Sequence, residues 1–390
     1  MKFLSILISA LEWYDQAICI TLMSVISKFF FPDCDKIAMF LLYFSSLAIG
    51  YSGRPLGAYI FGYYSDKHNR LMATYYSLLL MVSAGIGITL IPTYQTVGII
   101  SSILFVAFRF LQGIALGGNY SLTVAVVEQA DRRNRYYLSS YTCFGVIFGF
   151  MLGSASVSLL HKYCSQEILA YMWRLPFLLC GICAVPALIA LKKIAQTHSF
   201  SQAKKSINSK ISFKLFIQLL SLLFLHTIPF YVVFIFAPNY SITLLSYDAS
   251  TVWKNQTIGM CAMLLFTPIF GMCADKVGPL RCLKFSNMFF VIFCALSYFQ
   301  QLPLGLVFYI ISGITIAVCY GCLYGYVPLM IAENIRARIS NVLVNVLGVL
   351  ASALVSFGAF LHSGNHLFVV LLIVSMFALG VLSICHEGQK

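Results

Sequence analysis

Residues 62–67 read Gly62-Tyr63-Tyr64-Ser65-Asp66-Lys67, and 209 residues later the chain reads Gly271-Met272-Cys273-Ala274-Asp275-Lys276. Each copy lies between two long apolar runs. Glu128 and Glu333, both close to arginines, repeat at the similar offset of 205. Self-similarity at a fixed spacing marks a duplicated structural unit, so the 390 residues divide into two halves of comparable length.

Reading outward from the repeat, apolar runs between polar breaks predict helices near 4–28, 37–63, 72–91, 97–124, 136–160, 173–191, 213–237, 253–274, 282–300, 304–330, 340–361 and 366–385. A bilayer needs ~20 apolar residues per helix, and every run comes close to or exceeds that length. The chain is 60% hydrophobic and 9% charged, where soluble domains are roughly 45–50% apolar and about 25% charged. The expected fold is an all-α membrane protein of twelve transmembrane helices in two six-helix halves. Residues 1–191 form the N-terminal bundle and 213–390 the C-terminal bundle. The polar stretch 192–212, with Lys204, Lys205 and Lys210 among serines, reads as a flexible cytoplasmic linker, and a polybasic lipid-binding strip is a compatible role. The first apolar run is long enough to be a retained helix and not a signal peptide.

The net charge of +13 would suit nucleic acid only if the cations shared one soluble face. Here they sit in short loops. With the N-terminus inside, eighteen lysines and arginines fall on inner segments and five outside, namely Lys28, Lys36, Lys162, Arg174 and Lys254. The positive-inside rule then places both termini in the cytoplasm. The thirteen cysteines are scattered, and the two Cys-x-x-Cys spacings (Cys180 to Cys183, Cys319 to Cys322) lie in apolar runs with no histidine nearby. They read as packing, so no metal or cofactor is expected. HExxH, GxSxG, Walker and dinucleotide-binding glycine motifs are absent from suitable contexts, which excludes the common hydrolytic and nucleotide chemistries.

Four charges remain inside apolar runs: Glu12, Asp15, Arg54 and Arg109. Ionisable groups at membrane depth are costly and mark function by default. The competing reading is a set of paired bridges that fix helix packing. Glu12 and Asp15, three residues apart, share one side of a helix, and Arg109 lies near the same depth. Arg54, followed by Pro55 and Gly57, lies deeper and also suits a helix kink. Gly145, Gly149 and Gly153 make a small-residue stripe matched by Gly348, Ser352 and Ser356, and both are expected to be seams between the halves.

The strings Glu12-Trp13-Tyr14-Asp15, Arg54-Pro55-Leu56-Gly57, Gly62-x-x-x-Asp66-Lys67-x-Asn69-Arg70, Arg109-Phe-Leu-Gln112-Gly113, Gly117-Gly118 and Trp173-Arg174-x-Pro176-Phe177 resemble those of the major facilitator superfamily. Within it they are similar to the metabolite:proton symporters that carry proline, betaine, α-ketoglutarate, shikimate or citrate. The resemblance departs at three places. Asn69 stands where the loop usually has glycine, and a left-handed turn there is expected to tolerate it. Asn119 stands where these symporters usually carry glutamate. Pro279 replaces an arginine in the second loop, with Arg281 nearby.

The resemblance implies a secondary active transporter that moves a small molecule with protons by alternating access, as a monomer in a bacterial inner membrane, without nucleic acid and without enzymatic activity. Glu12 and Asp15 would couple the proton. Arg109, with Arg54, Tyr14, Gln112 and Asn119, would meet the substrate, joined from the second half by Tyr231 and Tyr324. Phe234, Tyr320 and Tyr326 add aromatic faces suited to an ammonium by cation–π attraction, which favours a zwitterion such as proline or betaine over a dicarboxylate. His226 reads as a hydrogen-bonded packing residue. Gly62, Asp66, Lys67, Arg70 and Glu128, with Asp275, Arg281 and Glu333 as their second-half counterpart, would latch one conformation, Arg70 pairing with Glu128. A plain surface salt bridge is the other reading of that cluster. Antiporters of the superfamily usually have a Gly-Pro pair in helix 5, which is lacking here and favours symport. An efflux carrier of the same fold and a non-transporting sensor stay open as alternatives.

Overall fold

The computed structural model describes residues 2–22, 26, 29–32, 36–197, 211–243, 246–299 and 305–360, and no strand occurs among them. Besides two short helices, Tyr94–Val97 and Gln166–Met172, the helices are α1 (Lys2–Thr21), α2 (Lys36–Lys67), α3 (Arg70–Leu90), α4 (Ile99–Gly117), α5 (Tyr120–Gln129), α6 (Arg135–Tyr163), α7 (Leu175–Thr197), α8 (Phe213–Tyr231), α9 (Ala237–Thr243), α10 (Ala249–Val277), α11 (Pro279–Phe299), α12 (Leu306–Leu329) and α13 (Arg336–Phe360). Among the described residues, eight helical stretches are long and apolar enough to cross a bilayer, with α4 and α5 counted as one. Within the described residues the first eleven expected spans fall on these helices; residues 23–25 and 27–28 of the first span lie outside them. The twelfth, 366–385, lies outside the described residues, as do 198–210 of the expected linker. Helix α7 continues to Thr197, past the expected boundary at 191.

By packing, the chain forms two compact units. One comprises Met1–Ala125, Gly145–Ser206 and Glu333–Asn345; the other comprises Val126–Phe144, Ile207–Ala332 and Val346–Lys390. Each unit thus takes in a short segment from the opposite half of the sequence. Glycines set the closest helix pairs in both. A methyl on Gly113 of α4 would overlap the Gly50 carbonyl of α2, and one on Gly313 of α12 would overlap the Gly259 carbonyl of α10. Without side chains at these positions the backbones touch, which is how small residues drive helix association in lipid.

The stripe on α6 does not line a seam between the halves. A methyl on Gly145 would stand 2.5 Å from the Ile6 carbonyl, one on Gly149 would overlap Ala10, and one on Gly153 would stand 2.6 Å from Ala17 Cβ. The stripe therefore seats α6 on α1 inside the first unit. Small residues permit close approach but do not select the partner. Among the described residues nothing stands within 4 Å of a methyl on Gly348, and the side chains of Ser352 and Ser356 lie outside those described.

One apolar cluster anchors the end of this unit remote from the Asp66 loop. Trp173, fully buried, meets Phe30 edge-on at 5.7 Å and Phe177 at 6.2 Å, and Phe30 stacks on Phe105 at 4.8 Å. Arg174 lies over the Trp173 ring at 4.5 Å and donates from Nε to the Thr89 carbonyl at 3.1 Å. The Trp-Arg-x-Pro-Phe string is therefore a packing device.

Candidate functional site

Helices α1 and α4 bring two of the embedded charges, Asp15 and Arg109, together within the first unit. Glu12, Asp15 and Arg109 are each 2% exposed and Gln112 is fully buried. Arg109 donates from Nη1 to Gln112 Oε1 at 2.8 Å, and Gln112 Nε2 donates to both Asp15 oxygens, at 2.9 and 3.2 Å. The base and the acid are thus joined through a neutral amide. The spacing of three between Arg109 and Gln112 puts both on one face of α4. Glycines make room: a methyl on Gly50 would stand 3.4 Å from Arg109 Nη2 and one on Gly85 3.3 Å from Asp15 Oδ1. Arg109 Nε stays unpartnered in this cluster, and Glu12 Oε1, one turn earlier on α1, is also buried without a partner.

Arg54 belongs to a separate contact. Its Nη2 donates to Gln16 Oε1 at 2.8 Å and its guanidinium lies 4.1 Å from the Tyr51 ring centre. Tyr14 is half-buried and packs against the apolar cluster of Trp173 and Phe177. Asn119 sits in the turn between α4 and α5 with Oδ1 buried and unpartnered.

The duplicated loops converge on one device built twice. Asp66 accepts from the backbone N–H groups of Ala337 at 2.8 Å and Arg338 at 2.9 Å, at the start of α13. Asp275 accepts from Tyr136 at 3.0 Å and Tyr137 at 2.8 Å, at the start of α6. The first turn of a helix leaves N–H groups without intrahelical partners and carries the positive end of the dipole; a carboxylate satisfies both. Burial pushes the Asp66 carboxyl up, and the Arg338 and Ala337 amides and Arg70 draw it back. Gly62 and Gly271 are required by this approach, since a methyl on Gly62 would stand 2.5 Å from Arg338 Cα and one on Gly271 2.9 Å from the Tyr136 carbonyl.

The copies differ in their cations. Arg70 is buried, pairs with Asp66 at 3.2 Å, and donates from Nη2 to the Glu333 carbonyl at 3.3 Å. Glu333 contributes that backbone oxygen while its side chain is exposed; Glu128 is half-buried near the end of α5. Lys67 is exposed and lies 4.5 Å from the Tyr63 ring centre. Arg281 is exposed and forms no ion pair among the described residues. Asn69 does not adopt a left-handed turn. Its φ is −142°, and its side chain caps α3 by accepting from Leu71 and Met72, the role Asn performs best. In the second copy Gly278 takes the left-handed region, with φ +99°, and Pro279 begins α11, where a missing N–H costs nothing.

In the second unit Tyr324 stacks on Tyr320 at 5.9 Å, and Phe230 meets Tyr320 at 5.9 Å, Phe234 at 5.6 Å and the half-buried Tyr231 at 6.0 Å. Tyr326 is buried. This aromatic set borders a π-helical turn, Val232–Phe236, which follows Pro229; such bulges recur at functional sites. The side chain of His226 lies outside those described. An apolar cavity of about 430 Å³ opens among α10, α11 and α12, bordered by Phe270, Phe285, Phe289 and Val318; no ionisable acid or base of the charged cluster lines it.

Sequence reasoning missed Gln16, Gly50 and Gly85; it read Gln112 as substrate-facing, and the structure places that side chain between Arg109 and Asp15. It also passed over Asn341 and Asn345, uncharged amides within a largely apolar run. Their spacing of four inside a membrane helix was the available signal.

The chain matches the Major Facilitator Superfamily over residues 37–340 and belongs to that family: it is an integral membrane transporter with the twelve-helix fold. A putative proline/betaine transporter of Staphylococcus aureus is 26% identical over 356 residues, covering 87% of this chain and 76% of that protein. The proline/betaine transporter of Salmonella typhimurium is 25% identical, covering 84% and 70%. A proton:xylose symporter of the superfamily, solved with 6-bromo-6-deoxy-D-glucose, superposes with a TM-score of 0.79 at 18% identity, over 99% of this chain and 94% of that one. A bacterial homologue of the iron transporter ferroportin, outward-facing, gives 0.73 at 15% identity, over 99% of both chains.

Proposed function

We propose that this transporter is a proton-coupled symporter of a small zwitterionic or carboxylate metabolite, of the proline and betaine class before a dicarboxylate. It works by alternating access as a monomer in a bacterial inner membrane with both termini cytoplasmic. Its working halves are the six-helix bundles 1–191 and 213–390, joined by 192–212. The observation that carries the proposal is the Arg109–Gln112–Asp15 chain. Because Asp15 is held by an amide and not by the guanidinium, it can take up a proton without breaking an ion pair. Arg109 meanwhile keeps Nε free of any partner, ready for a substrate carboxylate. Glu12, whose Oε1 is likewise open, is the second proton site. When substrate draws Arg109 toward itself, Gln112 shifts with it, and the Asp15 carboxylate loses its donor and gains its proton. Tyr231 and Tyr324 supply aromatic faces for the ammonium. The curated relatives, named for proline and betaine, support the same class.

The test is uptake of labelled proline, betaine, α-ketoglutarate and citrate into proteoliposomes, with and without an inward proton gradient. One solute that accumulates, and stops accumulating with a protonophore, is the expected outcome. Folded protein that accumulates none of them, yet exchanges against a preloaded metabolite, would replace symport with antiport. Neither uptake nor exchange would leave the sensor reading.

A further inference from the structure

Between α4 and α5 the helix breaks at Gly117, Gly118 and Asn119. The amide of Ser121 reaches the Gly118 carbonyl at 3.1 Å, and that of Asn119 reaches Leu116 at 3.2 Å, a three-residue spacing in place of the four-residue ladder. The tightened turn leaves the Gly117 carbonyl without the Ser121 amide that a continuous helix would supply. A buried carbonyl in lipid needs another donor. It receives Asn345 Nδ2 of α13 at 3.2 Å, and the same nitrogen reaches the Asn341 carbonyl at 2.9 Å. One turn earlier on α13, Asn341 Nδ2 donates to Ser121 Oγ at 2.8 Å. Asn341 is fully buried and Asn345 is 6% exposed. The spacing of four sets both amides on one face of α13, clasping the two sides of the break. Around them four polar atoms are buried without partners: Asn119 Oδ1, Thr123 Oγ1, Ser340 Oγ and Asn341 Oδ1. A purely structural contact would pair these groups. Orphaned on both helices, they are spare hydrogen-bonding capacity for water and a polar solute when the helices separate.

We infer that Asn341 and Asn345 are positioning residues of the transport cycle, a clasp that holds α13 on the break in α4 and shuts the polar route on the side of the Asp66 loop. The inference rests on the alternating-access reading above. It differs from the Asp66 latch because it acts on the helix break itself and because its release uncovers acceptors, the Gly117 carbonyl and the Asn119 and Asn341 amide oxygens, that suit an ammonium-bearing solute.

The test places a cysteine at buried Thr123 (Thr123→Cys) and follows that peptide by mass spectrometry after labelling with a membrane-impermeant maleimide in sealed vesicles of each orientation, without substrate. Asn345→Leu deletes the amide donor at similar size. It is expected to raise the labelling rate from the loop side about tenfold, as two buried hydrogen bonds are lost, and to leave labelling from the opposite face unchanged. Ser121→Ala, which removes only the acceptor of Asn341, is expected to give a smaller rise of the same sidedness and serves if Asn345→Leu does not fold. Unchanged labelling in a folded variant, or an equal rise from both faces, would overturn the clasp. A one-sided rise in a protein that transports no solute would keep the clasp and overturn the transport reading instead.

Discussion

The two repeats share a scaffold and differ in chemistry. Both have an aspartate holding the start of a helix, and both have glycine-to-carbonyl contacts fastening one long helix to another, α2 to α4 and α10 to α12. Only the first repeat has acids and bases buried at membrane depth among the described residues; the second offers stacked tyrosines, phenylalanines and a π-helical turn. The packing contacts thus recur in both copies, whereas among the described residues the buried charges stand in the first copy alone.

The sharpest way to break that comparison is Asp15→Asn, which keeps shape and hydrogen-bonding capacity but removes the titrating group. Proton-driven accumulation in proteoliposomes is expected to fall to background with expression intact. Undiminished uphill uptake would move coupling elsewhere, Glu12 first. Next come Gly113→Ala and Gly313→Ala, which test whether the scaffold is equally demanding in both copies. Each drives a methyl into a backbone carbonyl, so each is expected to destabilise by about 2 kcal/mol or more, read as thermal unfolding in detergent. Tolerance of one and not the other would end the claim of matched scaffolds. Gly348→Ala, whose methyl meets no described atom within 4 Å, is expected to gain about 0.5–1 kcal/mol from helix propensity alone.

The two aspartate contacts are alike but not equal. Asp66 has Arg70 in addition to its two amides, whereas Asp275 has amides without a comparable guanidinium. Asp66→Asn is therefore expected to slow transport about tenfold and Asp275→Asn about threefold, in keeping with one additional charge-assisted bond; initial uptake rates decide the order. The smallest effect is confined to the second repeat. Asp248 caps α10, accepting from the Thr251 amide and hydroxyl at 2.8 Å each. These bonds hold its exposed carboxyl below the ordinary carboxylate range. A lowered folded value means that the stabilisation is present at neutral pH and lost as pH falls through that value. Asp248→Ala is thus expected to unfold at slightly lower temperature than the parent at neutral pH, and the gap is expected to close in acid.

Much of this was legible in the residues. The loop repeat, the apolar runs and the buried charges each carry a local signal: a spacing, a length, a residue type whose burial is costly. Asn69 shows where local reasoning stops. Its tolerance of a left-handed turn is real, yet the chain uses its side-chain oxygen to cap α3. The α6 glycines show the same limit, since smallness announces a close contact without naming the partner.

Sequence alone therefore determined the membrane-embedded helical class, the duplication and the set of charged residues, because hydropathy and periodicity are properties of consecutive residues. Only the tertiary structure decided that Gln112 stands between Arg109 and Asp15, that Asp66 and Asp275 hold helices about 270 and 140 residues away in the chain, and that Asn341 and Asn345 close the break in α4. Those choices depend on distances between side chains far apart in sequence, set by helix packing and by the requirement that buried polar groups find partners.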